Sequence, residues 1–143
     1  MKRLGLGILA TAIAGSISSL HAQETDLTGK ISVELNAVQT NDTSCTLTFL
    51  IINGLAAPID KAVYETVLFD KNGQVNRLTL FDFGALPPAR PRVRQFAVPQ
   101  LTCDQLGRVL FNGANICEGD GLAEGICTTG FVPSSRTKVE VLG

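Results

Sequence analysis

The sequence has no tryptophan, a single tyrosine, a single methionine and a single histidine. The histidine, His21, sits in the opening segment MKRLGLGILATAIAGSISSLHAQ. Lys2 and Arg3 give that segment a positive start, Leu4 to Ile17 are apolar or small, and small residues lead up to Ala22. This is the order of a secretory signal peptide, with cleavage expected after Ala22. The apolar run falls short of the roughly 20 residues that span a bilayer, and glycines and serines thin it further. A mature chain starting at Gln23 therefore has no histidine. Such a chain builds no Ser-His-Asp triad, no Cys-His dyad and no histidine metal site.

Other scarcities narrow the field. After the leader no run approaches a membrane span, so the mature chain is expected to have no transmembrane segment. Losing Lys2 and Arg3 from 12 basic side chains leaves 10 against 13 acidic ones, a balance that argues against nucleic acid as a partner. The four cysteines, Cys45, Cys103, Cys117 and Cys127, include no close C-x₂-C pair of the kind zinc sites use. In a short exported chain they imply disulfides instead, and no metal or cofactor is expected. Nowhere does an apolar stripe recur at helical spacing for more than about two turns.

What is present is alternation. Residues 30–38, KISVELNAV, put Ile31, Val33, Leu35 and Ala37 on one side and polar residues on the other, which is a half-buried strand. Residues 45–53, CTLTFLIIN, turn apolar on both faces and read as a central strand. Further strands are expected over 61–70, 74–83, 91–98, 108–117 and 137–142, the sixth interrupted at Asn112-Gly113, with one helical turn in LTCDQLG. Tyr64 is expected to be a strand residue with its hydroxyl at the surface. About seven strands punctuated by turn residues give an all-β chain, a single immunoglobulin-like antiparallel β-sandwich over residues 23–143. In that arrangement the second and fifth strands are neighbours, and Cys45 and Cys103 lie at matching ends of them. The expected pairing is Cys45–Cys103, with Cys117–Cys127 closing a local loop.

The stretch VYETVLFDKNGQV, with Leu68-Phe69-Asp70 leading into Asn72-Gly73, resembles the FxLYD-like and related immunoglobulin-like domains of exported bacterial proteins. The resemblance spans residues 44–98. It implies a sandwich used for adhesion, assembly or ligand display, with no catalytic residues to carry over.

Two stretches are candidate binding elements. Arg90, Arg92 and Arg94 alternate, so an extended strand would project them from one face as solvated decoration or as an anionic docking stripe. Glu118, Asp120 and Glu124 lie in the CEGDGLAEGIC loop, whose spacing does not fit an EF-hand calcium site. The expected function is a non-catalytic binding, accessory or assembly module of the bacterial envelope, periplasmic or secreted, whose partner is another envelope protein. One rival is an inhibitor or effector presenting the Cys117–Cys127 loop. The other is a hydrolase working with carboxylates alone, for which Glu65, Asp70 and Asp82 are scattered candidates.

Overall fold

The computed structural model describes residues 25–143. The expected leader, residues 1–22, and His21 with it, lies outside the described residues. Alternation in the sequence becomes alternation of burial. In β1 (Ile31–Asn41), Ile31, Val33 and Leu35 are buried; in β2 (Ser44–Asn53), so are Cys45, Leu47, Phe49, Ile51 and Asn53. The two strands pair antiparallel across a tight turn in which Asp42 takes a left-handed conformation, one that a short polar side chain tolerates.

β3 (Ile59–Asp70) and β4 (Val75–Leu86) form the second hairpin. Its turn is built by Asp70, whose Oδ1 accepts from the amides of Asn72 at 2.8 Å and Gln74 at 3.0 Å, while Gly73 supplies a φ of +80°. β5 (Arg92–Pro99) returns to pair with β2. A 3-10 turn at Cys103–Gln105 then leads into β6 (Leu106–Glu118), which lies beside β3. The short helix α1 (Ile126–Thr129) precedes β7 (Phe131–Ser135) and β8 (Glu140–Leu142).

Two four-stranded sheets result, ordered β5-β2-β1-β7 and β4-β3-β6-β8. The all-β sandwich expected from the sequence is the one observed, with eight strands and two parallel margins. β7 pairs parallel to β1, and β8 parallel to β6. β7 escapes the sequence pattern because it is five residues long and carries Pro133, which an edge strand tolerates on its free side. The sixth strand is not broken at Asn112-Gly113. Glu65 pairs with Gly113 and Thr66 with Phe111, so Asn112 is an extra residue absorbed as a bulge in a continuous strand.

Phenylalanines join the sheets. Phe49 of β2 sits among Phe81, Phe83, Phe96 and Phe111, with centroid separations of 5.6–6.1 Å. At one flank Phe81 of β4 stacks on Phe96 of β5 at 4.2 Å; at the other Phe111 of β6 meets Phe131 of β7 at 4.9 Å. The first pair ties the β4 margin to the β5 margin and the second ties the inner strand β6 to the β7 margin, both through aromatic burial, the largest apolar contribution a side chain can make.

Cys45–Cys103 and Cys117–Cys127 are both disulfide-bonded, at sequence separations of 58 and 10. The first links β2 to the 3-10 turn just past β5, because Cys45 pairs with Val98 across the ladder and the chain has only to round the corner.

Candidate functional site

The three arginines do not act as a set. Arg90 precedes β5 in the proline-rich connection and is exposed. Arg92 and Arg94 share a face of β5 with Phe96 and Val98, the face turned toward β4. Arg94 uses that position fully. Its Nε donates to the Phe83 carbonyl at 2.7 Å and its Nη2 to the Ala85 carbonyl at 3.2 Å. Those carbonyls belong to the margin of β4, so one guanidinium both clasps the sheets together and covers part of an open strand edge. Arg92 donates only to the adjacent Pro91 carbonyl, at 3.1 Å.

The acidic loop is laid down on the sandwich. Glu118, Asp120 and Glu124 are exposed, and among the described residues no three metal-ligating side chains converge. Other parts of the loop face inward. Leu122 packs against the core, and a Cβ on Gly119 would meet the Pro58 carbonyl at 2.5 Å, so the backbone runs directly along the β2–β3 connection. Tyr64 is buried, against the surface placement its strand position suggested, and its hydroxyl donates to the Cys127 carbonyl at 2.8 Å. Burial raises the phenol above the usual tyrosine range.

Glu65, Asp70 and Asp82 are not gathered into a catalytic pair. Asp70 organises the β3–β4 turn, Glu65 accepts from Asn112 Nδ2 at 2.6 Å, and Asp82 accepts from the Gly84 amide at 2.8 Å.

A surface that the sequence reading did not single out lies on the outer side of the second sheet. Leu78 of β4 pairs with Val67 of β3, Val67 with Leu110 of β6, and Leu110 with Leu142 of β8. One apolar row therefore crosses all four strands on the side away from the core. Leu78 is 62% exposed, and Leu80 and Val75 beside it are each 55% exposed. The outer side of the first sheet is mixed: Thr46, Thr48, Gln95 and Glu34 lie there, with Gln95 donating to Thr48 at 3.0 Å, and the exposed Val93 and Val132 stand apart near its two margins. The signal was present in RLTLFDF, where Leu78 and Leu80 occupy one phase of the strand and Phe81 and Phe83 the other. A strand apolar in both phases, yet lying at a sheet margin, has to expose one of them.

Among the described residues no helix is long and apolar enough to cross a membrane, and two disulfides suit an oxidising, extracytoplasmic compartment. No family model matches the sequence, FxLYD-like domains included, and no curated protein matches it either. A solved structure does match the fold: that of IrmA from Escherichia coli, 16% identical, with a TM-score of 0.59 over 73% of this chain and 90% of that one. At that identity the two proteins share an architecture, and the likeness extends no further than the sandwich itself.

Proposed function

We propose that the chain is an exported, non-catalytic binding module of the bacterial envelope and that it meets a partner protein with the outer side of its β4-β3-β6-β8 sheet. The observation that carries this reading is the row Leu78–Val67–Leu110–Leu142 with Leu80 and Val75 beside it. Within that row Val67 is buried and Leu110 half-buried, so the exposed apolar surface gathers at Leu78, Leu80 and Val75 on β4, with Leu142 at the opposite margin. Scattered exposed leucines are ordinary, but three large apolar side chains clustered on one strand are a usual mark of an interaction surface. The stapled core supports the same role, because a rigid face loses little conformational freedom on binding. The inhibitor reading draws less support, since the Cys117–Cys127 loop is tucked against the core through Leu122 rather than held out. The hydrolase reading draws less still, with Asp70, Glu65 and Asp82 each engaged in local hydrogen bonds.

The test is crosslinking in the native host. Photo-reactive benzoylphenylalanine at Leu78 should give a discrete adduct, and the same group at Gln95, on the outer side of the other sheet, should not. Leu78→Glu with Leu80→Glu should abolish the adduct formed from a crosslinker at Leu142 while leaving the melting temperature nearly unchanged. Equal labelling from positions 78 and 95 would remove the basis for this surface.

A further inference from the structure

A second feature lies at one end of the sandwich, away from the leucine row. The β3–β4 turn, the 3-10 turn and the bend between β7 and β8 enclose a cleft of about 580 Å³. Its floor is apolar: Leu106 and Val139 are buried, Val38 is half-buried, and Cys103 lies beside them. Its rim carries Lys71 and Lys138, both exposed. Among the described residues neither ammonium has a carboxylate at ion-pairing distance; the ion pairs there are Arg108–Glu140 and Arg136–Glu34. One carboxylate, Asp104, also lines the cleft, and it accepts from the Thr102 hydroxyl. The cleft therefore combines an apolar floor with an excess of positive charge at its mouth.

The walls are fixed in advance. Lys71 rides on the turn that Asp70 Oδ1 organises. Lys138 follows a bend in which Ser135 Oγ accepts from the Thr137 amide and Thr137 Oγ1 from the Val139 amide, both at 3.0 Å. The 3-10 turn is held to β2 by the Cys45–Cys103 bond and to β1 by the Cys103 amide, which donates to Thr40 Oγ1 at 3.0 Å. Gly107 completes the wall. A Cβ there would stand 2.6 Å from the Asp70 carbonyl, so β6 begins in direct contact with the Lys71 turn.

We propose that this cleft binds a single-chain amphiphilic carboxylate, with the alkyl tail on Val38, Leu106 and Val139 and the carboxylate between Lys71 and Lys138. The apolar floor selects for a hydrocarbon tail. Two ammonium groups against the one carboxylate of Asp104 leave a net positive rim, which selects for an anionic head over a neutral or cationic one. The recessed floor selects for a free molecule over a membrane surface, because a bilayer cannot reach the bottom of a concave site.

Titration with decanoate, decanol and decyltrimethylammonium, followed by methyl NMR, tests this directly. Decanoate should shift the methyl resonances of Val38, Leu106 and Val139 in a saturable manner, and the affinity should fall as salt is raised. Lys71→Gln with Lys138→Gln should keep the fold and weaken decanoate by about tenfold, the effect of losing two exposed charge contacts. Decanol should bind less tightly than decanoate to the native protein and equally well to native and variant. Equal binding of decanol and decanoate to the native protein would overturn the proposal. So would shifts confined to Leu78 and Leu110, or flotation with phosphatidylglycerol vesicles in place of saturable decanoate binding. The last two outcomes would leave the leucine-row reading untouched.

Discussion

Tyr64 and Cys127 are joined by a buried hydrogen bond, the phenol of β3 donating at 2.8 Å to the carbonyl of the residue that closes the second disulfide. The bond ties the stapled loop to the core from below, and its ring meets Phe83, Phe111 and Phe131 at 5.0–5.8 Å. Tyr64→Phe keeps the ring and removes the donor, leaving a carbonyl unsatisfied in the interior. The expected loss is about 1–3 kcal/mol, read from denaturant unfolding.

The same residue sets a pH response. Burial raises the phenol above the ordinary tyrosine value of about 10, near which the unfolded chain ionises. The unfolded state therefore releases its proton first, and stability should fall as pH rises beyond about 10 and through the folded-state value. Because the chain has one tyrosine, the tyrosinate absorbance reports this group alone. Ionisation should coincide with loss of the native circular dichroism signal. A phenol that titrates at the ordinary value in the folded protein would refute the assignment.

The two disulfides should differ in their contribution. Closing 58 residues restricts the unfolded chain more than closing 10, and the chain-entropy account gives about 4 against about 3 kcal/mol. Replacing Cys45 and Cys103 by alanine also empties a buried core position, since Cys45 belongs to the main cluster. That pair of substitutions should lower the unfolding midpoint more than replacing Cys117 and Cys127. The reverse order would mean that the loop staple governs stability.

Asn53 does more than end a strand. It is buried, its Nδ2 donates to the carbonyls of Ala57 at 3.0 Å and Leu86 at 2.8 Å, and its Oδ1 accepts from the Leu55 amide at 2.9 Å. One amide thus knits the β2–β3 connection to the end of β4. Asn53→Asp preserves the shape, removes both donors and buries a carboxylate beside two carbonyls. The expected cost at neutral pH is about 3–5 kcal/mol, partly recovered on acidification as the carboxyl takes up a proton. Equal destabilisation at low and neutral pH would point to packing as the cause.

Much of this fold was legible where burial follows a period of two. KISVELNAV and CTLTFLIIN announce β1 and β2, and DKNG between apolar runs announces the hairpin that Asp70 and Gly73 build. The direction of pairing left no such trace: alternation is the same in parallel and antiparallel strands, so the margins formed by β7 and β8 were not readable. Tyr64 was misplaced because its polar tip suggested solvent, whereas the partner that satisfies it lies 63 residues away. The leucine row was hidden for a related reason. Leu78, Val67, Leu110 and Leu142 come from four separate segments, and only the register aligns them.

The arginines give the sharpest contrast between sequence spacing and structural use. Arg90, Arg92 and Arg94 are equivalent by alternation, yet Arg94 alone holds two carbonyls of β4, at Phe83 and Ala85. Arg94→Gln removes a charged donor pair and frees the margins of the two sheets to separate beside the Phe81–Phe96 stack. The expected loss is about 1–2 kcal/mol, against less than about 0.5 kcal/mol for Arg90→Gln, whose side chain is exposed. Amide exchange supplies a second readout: protection should fall in β4 and β5 of the Arg94 variant and stay unchanged in β1 and β6. Arg94→Lys should recover little of the loss, because a single ammonium does not reproduce a fork that reaches two carbonyls. Equal stability for the Arg90 and Arg94 variants would return all three arginines to the solvent and leave the aromatic stack as the chief tie at that margin.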